Sequence, residues 1–221
     1  MNQICQNINK IKQSIPANVL LVAVSKTKPV EDILTAYQCG QRHFGENKVQ
    51  EQIEKHDKLP EDIQWHMIGH LQRNKVKYIA GFVYLIHGVD NLKLLKEINK
   101  QGNKIQKKIQ ILLQIKIAQE ETKFGMNENT LHEIIQQYKA GEFPFVKISG
   151  LMGMATNTPD GEQIAREFKH LYELFQTYRN EIDSFKYLSM GMSGDYDIAI
   201  KEGSNLIRVG SAIFGQREYK V

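Results

Sequence analysis

The stretch VLLVAVSKTKP, residues 19 to 29, decides the fold and contains the most informative residue of the chain. Its six apolar residues run without interruption and stop shortly before Pro29, a pattern typical of a buried strand in a parallel sheet. We expect this strand to end at Lys26, which places the lysine at the mouth of a site. Apolar surroundings disfavour the ammonium form and favour the nucleophilic amine of Schiff-base chemistry. The alternative is a lysine that extends into solvent.

Short apolar runs alternate with segments of helical period about eight times along the chain, after an amphipathic helix predicted at residues 3–14. Eight strands, each followed by a helix, would close into a barrel, and 221 residues suit that size. We therefore predict an α/β fold: a single (β/α)8 TIM barrel domain spanning residues 1–221, with an extra N-terminal helix. An open doubly wound sheet is the alternative. After the first strand, the predicted strands are 42–46, 63–69, 82–89, 109–117, 145–152, 187–191 and 206–209.

Charge and composition argue against several classes of protein. The formal charge is +4, from 29 basic and 25 acidic residues, and much of the excess lies between Arg73 and Lys108. Solvated helix faces explain that stretch more simply than a nucleic-acid surface, because no binding motif accompanies it. No apolar run approaches the ~18 residues that span a bilayer, and the first residues lack the pattern of a secretory leader. We expect no nucleic-acid or membrane partner, and a cytoplasmic location.

The cysteines and histidines do not form a metal-binding pattern. Cys5 and Cys39 have no CxxC spacing, so we expect neither a disulfide framework nor a zinc site, as suits a reducing cytoplasm. His66 and His70 are four residues apart, but they fall on a predicted strand and its end, and no glutamate follows His66. We expect no metal.

Two glycine-containing loops follow the last two predicted strands. One carries Ser193 beside a predicted helix start, and the other carries Gly210 and Ser211, whose amides and hydroxyl can form an anion-binding nest. In a (β/α)8 barrel, phosphate commonly binds at these two loops. A phosphate facing Lys26 would suit pyridoxal phosphate, or a phosphorylated sugar in a Schiff-base aldolase.

Arg208 favours the first of these ligands. It lies two residues before the phosphate nest, where the pyridine nitrogen of a bound ring would be. A guanidinium cannot accept a proton, so a ring beside it stays unprotonated and is a weaker electron sink than one paired with an aspartate. The alternative is that Arg208 pairs with Glu46 or Asp195.

Six motifs in order along the chain resemble the pyridoxal phosphate homeostasis proteins: AVSKTKP (23–29), FGEN (44–47), WHMIGHLQ (65–72), GLMGM (150–154), SMGMS (189–193) and GSNLIRVGSAIFG (203–215). The resemblance implies a barrel like the N-terminal domain of alanine racemase, with pyridoxal 5'-phosphate held as a Schiff base on Lys26. It also implies phosphate contacts from Ser193, Gly210 and Ser211 and a ring contact from Arg208. The implied cofactor-binding residues are Lys26, Asn47, His70, Met154, Ser193, Arg208, Gly210 and Ser211.

The chain departs from the family pattern at three positions. Lys48 replaces the usual tyrosine and brings a second amine near the mouth of the site, and Asn205 replaces a usual threonine, which puts one hydroxyl contact in doubt. Ser211 replaces a common threonine but retains the hydroxyl. Lys123, in the loop after the fifth strand, is either a solvated charge or a contact to cofactor phosphate. Whether Lys48 or Lys123 forms a second site is left open.

Alanine racemase-like enzymes carry a second, β-rich domain that closes the site and supplies a tyrosine base. Here the chain ends six residues after Gly215, so we expect an open cofactor face without an opposing base. We therefore favour a monomeric protein that binds, buffers and delivers pyridoxal phosphate, with apo-enzymes as partners and no catalytic residue assigned. The alternative is a pyridoxal phosphate-dependent racemase or decarboxylase with an unrecognised base; a Schiff-base aldolase is more distant.

Overall fold

The computed structural model describes residues 2–120 and 122–216. Eight parallel strands form a closed barrel in sequence order. The strands are β1 (Leu20–Val24), β2 (His43–Glu46), β3 (Gln64–Met67), β4 (Leu85–Val89), β5 (Ile109–Gln114), β6 (Val146–Met152), β7 (Tyr187–Ser189) and β8 (Leu206–Val209). The helices are α1 (Gln3–Ser14), α2 (Val30–Gln38), α3 (Val49–His56), α4 (Val76–Ile79), α5 (Leu92–Lys104), α6 (Glu128–Lys139), α7 (Gly161–Arg179), α8 (Tyr196–Lys201) and α9 (Ser211–Phe214), with a 3₁₀ turn at Arg73–Lys75.

The first strand closes the barrel. β1 pairs in parallel with β2 on one side and with β8 on the other, so the sheet has no edge. This confirms the predicted (β/α)8 barrel and excludes the open doubly wound sheet. The predicted extra helix is α1, which packs its buried residues Ile8 and Ile11 in one cluster with Ile33 of α2 and Ile213 of α9.

Apolar side chains fill the interior of the barrel and the layer between strands and helices. The interior cluster takes one residue from each of five strands, because alternate residues of a barrel strand point inward. The outer layer is larger and accommodates the apolar faces of helices α5 to α7. The interior cluster consists of Val22, Leu85, Leu112, Met152 and Leu206.

Two predicted boundaries are wrong in ways that affect the interpretation. β1 ends at Val24 rather than at Lys26, because the chain turns there: the Lys28 N–H donates to the Ser25 carbonyl at 3.0 Å, and Thr27 adopts a φ of 65°. The sequence Thr158-Pro159-Asp160 predicts a helix that is capped by Thr158, with a proline and an acid in its first turn, but the cap of α7 is Asp160. The Asp160 carboxylate accepts the first free N–H groups of the helix, which a residue two positions earlier cannot do.

The expectation that no disulfide forms is also wrong. Cys5 of α1 and Cys39, just after α2, are joined in a disulfide, with Cα atoms 5.6 Å apart. The two residues are 34 positions apart in sequence, and only the packing of α1 against the end of α2 brings them together. Their sequence spacing therefore carried no signal.

In the described part of the chain, no helix is long and apolar enough to cross a membrane.

Candidate functional site

A cavity of about 570 Å³ opens at the carboxyl ends of the strands. Its lining comes from β1, β5 and β8 and from the loops that follow seven of the strands, which is where sites in this fold are built. All eight residues predicted from the sequence line this one cavity: Lys26, Asn47, His70, Met154, Ser193, Arg208, Gly210 and Ser211.

A buried carboxylate and a buried amine hold the segment that carries Lys26. The Ser25 hydroxyl donates to Glu46 Oε1 at 2.6 Å, and Lys55 Nζ donates to the Ser25 carbonyl at 2.8 Å and to Glu46 Oε1 at 2.8 Å. Glu46 is fully buried and Lys55 is 5% exposed. Both the side chain and the carbonyl of the residue before Lys26 are therefore fixed.

A second carboxylate fixes the other side of Lys26. Glu51 Oε1 accepts the Thr27 N–H at 2.5 Å and also pairs with Lys55 Nζ at 2.7 Å. Thr27 is β-branched and has a positive φ, a conformation that such residues rarely adopt unless their surroundings impose it. Lys26 itself is half-buried and reaches the cavity from this fixed turn.

Burial raises the pKa of Glu46 to about 7. Loss of solvation is the dominant cause; the adjacent Lys55 ammonium and the hydrogen bonds from Lys55 and Ser25 oppose it, and the charge of Glu51 adds to it. One oxygen, Oε2, is buried without a hydrogen-bond partner in the described chain. Two carboxylates share the single ammonium of Lys55, so a proton on Glu46 relieves an excess of negative charge.

The loops after β7 and β8 meet at one end of the cavity. The Gly210 N–H donates to Ser193 Oγ at 3.2 Å, which links the two loops directly. An added Cβ at Gly210 would lie 3.3 Å from Val24, so the glycine lets the loop pack closely against the end of β1. The neighbouring Ser211 is exposed and begins α9. This end of the cavity presents hydroxyls and amides.

Arg208 on β8 is the buried cation of the site and is 3% exposed. Nη1 donates to the Ser189 carbonyl at 2.9 Å and to Ser189 Oγ at 2.5 Å, and Nη2 donates to the Gly153 carbonyl at 3.1 Å. Burial lowers the pKa of Arg208 to about 10, and the charge of Asp195 opposes this shift. The alternative ion pairs with Glu46 or Asp195 are wrong, since within the described residues the guanidinium bonds only to neutral oxygens.

His70 lies at the mouth of the cavity with a carboxylate behind it. Its Nδ1 is 3.3 Å from Oδ2 of Asp90, and its ring stacks on Phe124 with centroids 4.2 Å apart. Asn47 and Met154 line the wall and are half-buried. Among residues 2–120 and 122–216, no three His, Cys, Asp or Glu side chains lie where they could hold a metal ion.

Sequence reasoning missed several lining residues, including Gln114 and Phe124. Gln114 ends the apolar strand β5 and donates to the Phe124 carbonyl at 2.9 Å; a polar residue at a strand end is the same signal that identified Lys26. Phe124 lies in a loop and carried no such signal. Lys123 and Lys48 are the two lysines considered for a second site. Lys123 donates to the Ala155 carbonyl and pairs with Glu120, and Lys48 is exposed.

Fold and site together define a barrel of the alanine racemase N-terminal type. The family model described as "Alanine racemase, N-terminal domain" matches residues 1–218. The pyridoxal phosphate homeostasis protein of Vibrio alginolyticus is 39% identical over 234 residues, covering 99% of this chain and 100% of that protein. The chain therefore belongs to the pyridoxal phosphate homeostasis protein family.

Solved structures agree with this assignment. PipY of Synechococcus elongatus, determined with pyridoxal phosphate bound, is 31% identical and superimposes with a TM-score of 0.87, over 96% of this chain and 100% of that one. Alanine racemase of Bartonella henselae, which carries covalently bound pyridoxal phosphate, is 16% identical and superimposes with a TM-score of 0.75. That match covers 98% of this chain but 61% of the racemase, and shares the fold.

Proposed function

We propose that the chain binds pyridoxal 5'-phosphate in this cavity, holds it as a Schiff base on Lys26, and buffers and delivers the cofactor. One observation carries the proposal: the eight predicted residues, spread from position 26 to position 211, line one cavity. The bound cofactor supplies a carbonyl carbon that reacts with amines and a ring that accepts electron density. The relative solved with pyridoxal phosphate bound supports the choice of ligand.

The phosphate end fits an anion. Ser193 accepts the Gly210 N–H, so its own hydroxyl hydrogen is available to a phosphate oxygen, and the exposed Ser211 adds a second hydroxyl. No carboxylate lines the cavity among the described residues, so an anion entering it meets no like charge from the wall.

The part of the cavity at Arg208 fits an unprotonated ring nitrogen. Arg208 has five N–H donors and no acceptor, and three donors are engaged by the oxygens of Ser189 and Gly153. Two N–H groups are left for a group bound in the cavity, which Arg208 lines. A pKa of about 10 keeps the guanidinium charged at neutral pH.

Delivery rather than turnover is the role we favour, and the names of the relatives support it. One observation favours the alternative, a pyridoxal phosphate-dependent racemase or decarboxylase. The His70–Asp90 pair at the cavity mouth has the arrangement of a base oriented by a carboxylate. An enzyme of this kind would exchange the α-hydrogen of amino acids with solvent deuterium, and His70→Gln would abolish that exchange. A pure carrier shows no exchange in either protein.

The visible spectrum of the purified protein, before and after borohydride, tests cofactor binding. We expect a yellow band that bleaches and a reduced pyridoxyl adduct that mass mapping finds on Lys26. Lys26→Ala abolishes the adduct, whereas the matched variant Lys48→Ala retains it. A colourless protein that forms no adduct with added pyridoxal phosphate would refute the proposal. An adduct on Lys48 or Lys123 that persists in Lys26→Ala would reveal a second site.

Delivery is tested with a pyridoxal phosphate-dependent aminotransferase stripped of its cofactor. The loaded chain is mixed with this apo-enzyme while a phosphatase destroys free pyridoxal phosphate. Recovery of aminotransferase activity faster than the spontaneous release measured without the apo-enzyme indicates direct transfer to an apo-enzyme partner. Recovery no faster than release refutes docking and leaves buffering.

The remaining parts of the proposal are a cytoplasmic location, a monomer, and a single cofactor-binding domain over residues 1–221. The monomeric state is the part that a mass measurement tests. Light scattering of the loaded protein measures the mass directly, and a dimer would contradict this part. A reducing cytoplasm would reduce the Cys5–Cys39 disulfide of the structure to two thiols, so alkylation of both residues in freshly lysed cells checks the location, and an intact disulfide there would contradict it.

A further inference from the structure

A row of buried polar side chains crosses the barrel behind Arg208. His87 Nδ1 is 3.1 Å from Ser189 Oγ, His66 Nδ1 is 2.8 Å from His87 Nε2, and His43 Nδ1 is 3.0 Å from His66 Nε2. Ser189, His87 and His66 are fully buried. The row starts at the carboxyl end of β7, passes through β4 and β3, and ends at the first residue of β2. It therefore leads from the cavity toward the opposite end of the barrel.

Arg208 sets the direction of every hydrogen bond in this row. A guanidinium only donates, so Ser189 Oγ accepts from Arg208 and its hydroxyl hydrogen is free to donate to His87 Nδ1. His87 then carries its proton on Nε2 and donates to His66, which carries its proton on Nε2 and donates to His43. Each ring therefore accepts at Nδ1 and carries its proton on Nε2.

The reverse direction leaves a buried group unsatisfied. If His87 donated from Nδ1, Ser189 Oγ would accept from both Arg208 and His87, and the serine hydrogen would have no acceptor in the row. A buried donor without a partner is unfavourable. Burial, with the charges of neighbouring groups, also lowers the pKa of His87 and His66 well below the usual value, so both rings are neutral.

We propose that Ser189, His87, His66 and His43 are positioning residues, which hold Arg208 through a one-way chain of hydrogen bonds. Among the described residues no carboxylate forms a hydrogen bond or ion pair with Arg208, so aligned neutral dipoles stabilise its charge at contact distance in place of a paired carboxylate. A carboxylate would neutralise the guanidinium field that a ring nitrogen meets, whereas the chain leaves that field intact. The role toward the cofactor rests on the proposed function; the direction of the chain does not.

The first test needs no cofactor. Long-range ¹H–¹⁵N spectra of the full chain labelled at histidine report which ring nitrogen carries the proton. We expect His43, His66 and His87 each as the neutral Nε2–H form. Ser189→Ala removes the hydroxyl and adds no volume. In this variant the preference for the Nε2–H form is lost, and His87 and His66 show a mixture of the two neutral forms. Nδ1–H forms or charged rings at His66 and His87 in the wild-type protein would overturn the proposal.

The second test asks whether the chain acts on Arg208. His87→Gln retains one acceptor and one donor, so it can preserve the chain of hydrogen bonds, whereas His87→Phe interrupts it. We expect Ser189→Ala and His87→Phe to shift the guanidinium ¹⁵N signals of Arg208 and to weaken pyridoxal phosphate binding about tenfold, with a shifted visible band. His87→Gln should stay close to the wild type in all three readouts.

The outcomes separate this inference from the proposed function. Unchanged Arg208 signals in Ser189→Ala, a variant that keeps the backbone acceptor of Ser189, would refute the positioning role even if His87→Phe fails to fold. If the wild-type histidines have the expected tautomers but the protein does not bind pyridoxal phosphate, the proposed function is refuted and the chain of hydrogen bonds is retained. If the protein binds the cofactor but the histidines carry their protons on Nδ1, the proposed function is retained and the chain of hydrogen bonds is refuted.

Discussion

Glu46 gives the sharpest prediction about stability. A carboxyl whose pKa is raised to about 7 in the folded protein binds a proton more tightly there than in the unfolded chain, where the ordinary value is 4.5. The folded state therefore holds more protons than the unfolded state between these two values, so its stability falls as pH rises through them. A difference of about 2.5 pKa units corresponds to a loss of about 3 kcal/mol when the transition is complete.

Replacing Glu46 by Gln removes this titration while keeping an oxygen that accepts from Ser25 and Lys55. We expect the free energy of unfolding of the wild type, minus that of Glu46→Gln, to fall by about 2.5 kcal/mol between about pH 5 and about pH 8. Urea denaturation at a series of pH values measures both proteins. Groups other than Glu46 titrate in both, and their contributions cancel in the difference.

The exposed Glu54, on the helix α3 that follows β2, provides the matched control. Glu54→Gln should show the pH dependence of the wild type, because it leaves Glu46 and its buried neighbours in place. A wild-type minus Glu46→Gln difference that is independent of pH would refute the reasoning. A difference that rises with pH would show that the Lys55 ammonium outweighs burial and that Glu46 is ionised throughout.

Three further changes test the packing around the site and the barrel. Lys55→Met leaves a buried carboxylate without its cation and should lower the free energy of unfolding by ~3–5 kcal/mol at neutral pH, measured by urea denaturation. Asp160→Ala removes the acceptor for the first turn of α7 and should cost ~1 kcal/mol in the same measurement. Gly150→Ala places a Cβ against the Tyr187 carbonyl at a φ of 143°. It should lower the free energy of unfolding by about 3 kcal/mol, measured by thermal unfolding followed by circular dichroism.

Each change has a counterpart that should be tolerated. Lys58→Met replaces an exposed lysine just after α3, the helix that carries Lys55, and should stay within ~0.5 kcal/mol of the wild type. Thr158→Ala should cost less than Asp160→Ala, and the opposite order would restore Thr158 as the cap. Gly81→Ala meets no atom within 4 Å, so a loss as large as that of Gly150→Ala would mean that backbone contact is not the cause.

The cavity shows how much of a site can be predicted from the residues at strand ends alone. In a parallel barrel every carboxyl end faces the same side, so polar residues and glycines that follow apolar runs must gather there. Lys26, Ser193 and Gly210 could be placed on that side from the sequence for this reason. Phe124 could not, because the path of its loop depends on Gln114 and on the ring of His70.

The buried contacts could not be predicted from the residues at strand ends. His87 and Ser189 are 102 residues apart and meet only because β4 and β7 face each other across the closed barrel. Glu46 ends β2, but its neighbours Lys55 and Ser25 come from α3 and from the turn after β1. Nothing in the local pattern distinguishes a carboxylate held in this way from one in solvent.

The sequence by itself determined the eight-fold alternation, the parallel barrel and the side of it where the site lies, because apolar runs and helical periods are local properties. The tertiary structure alone decided that Arg208 faces neutral oxygens, that three histidines stand behind it, and that Cys5 meets Cys39. Those contacts join residues far apart in the chain, and their geometry depends on how the barrel closes and how the helices pack on it.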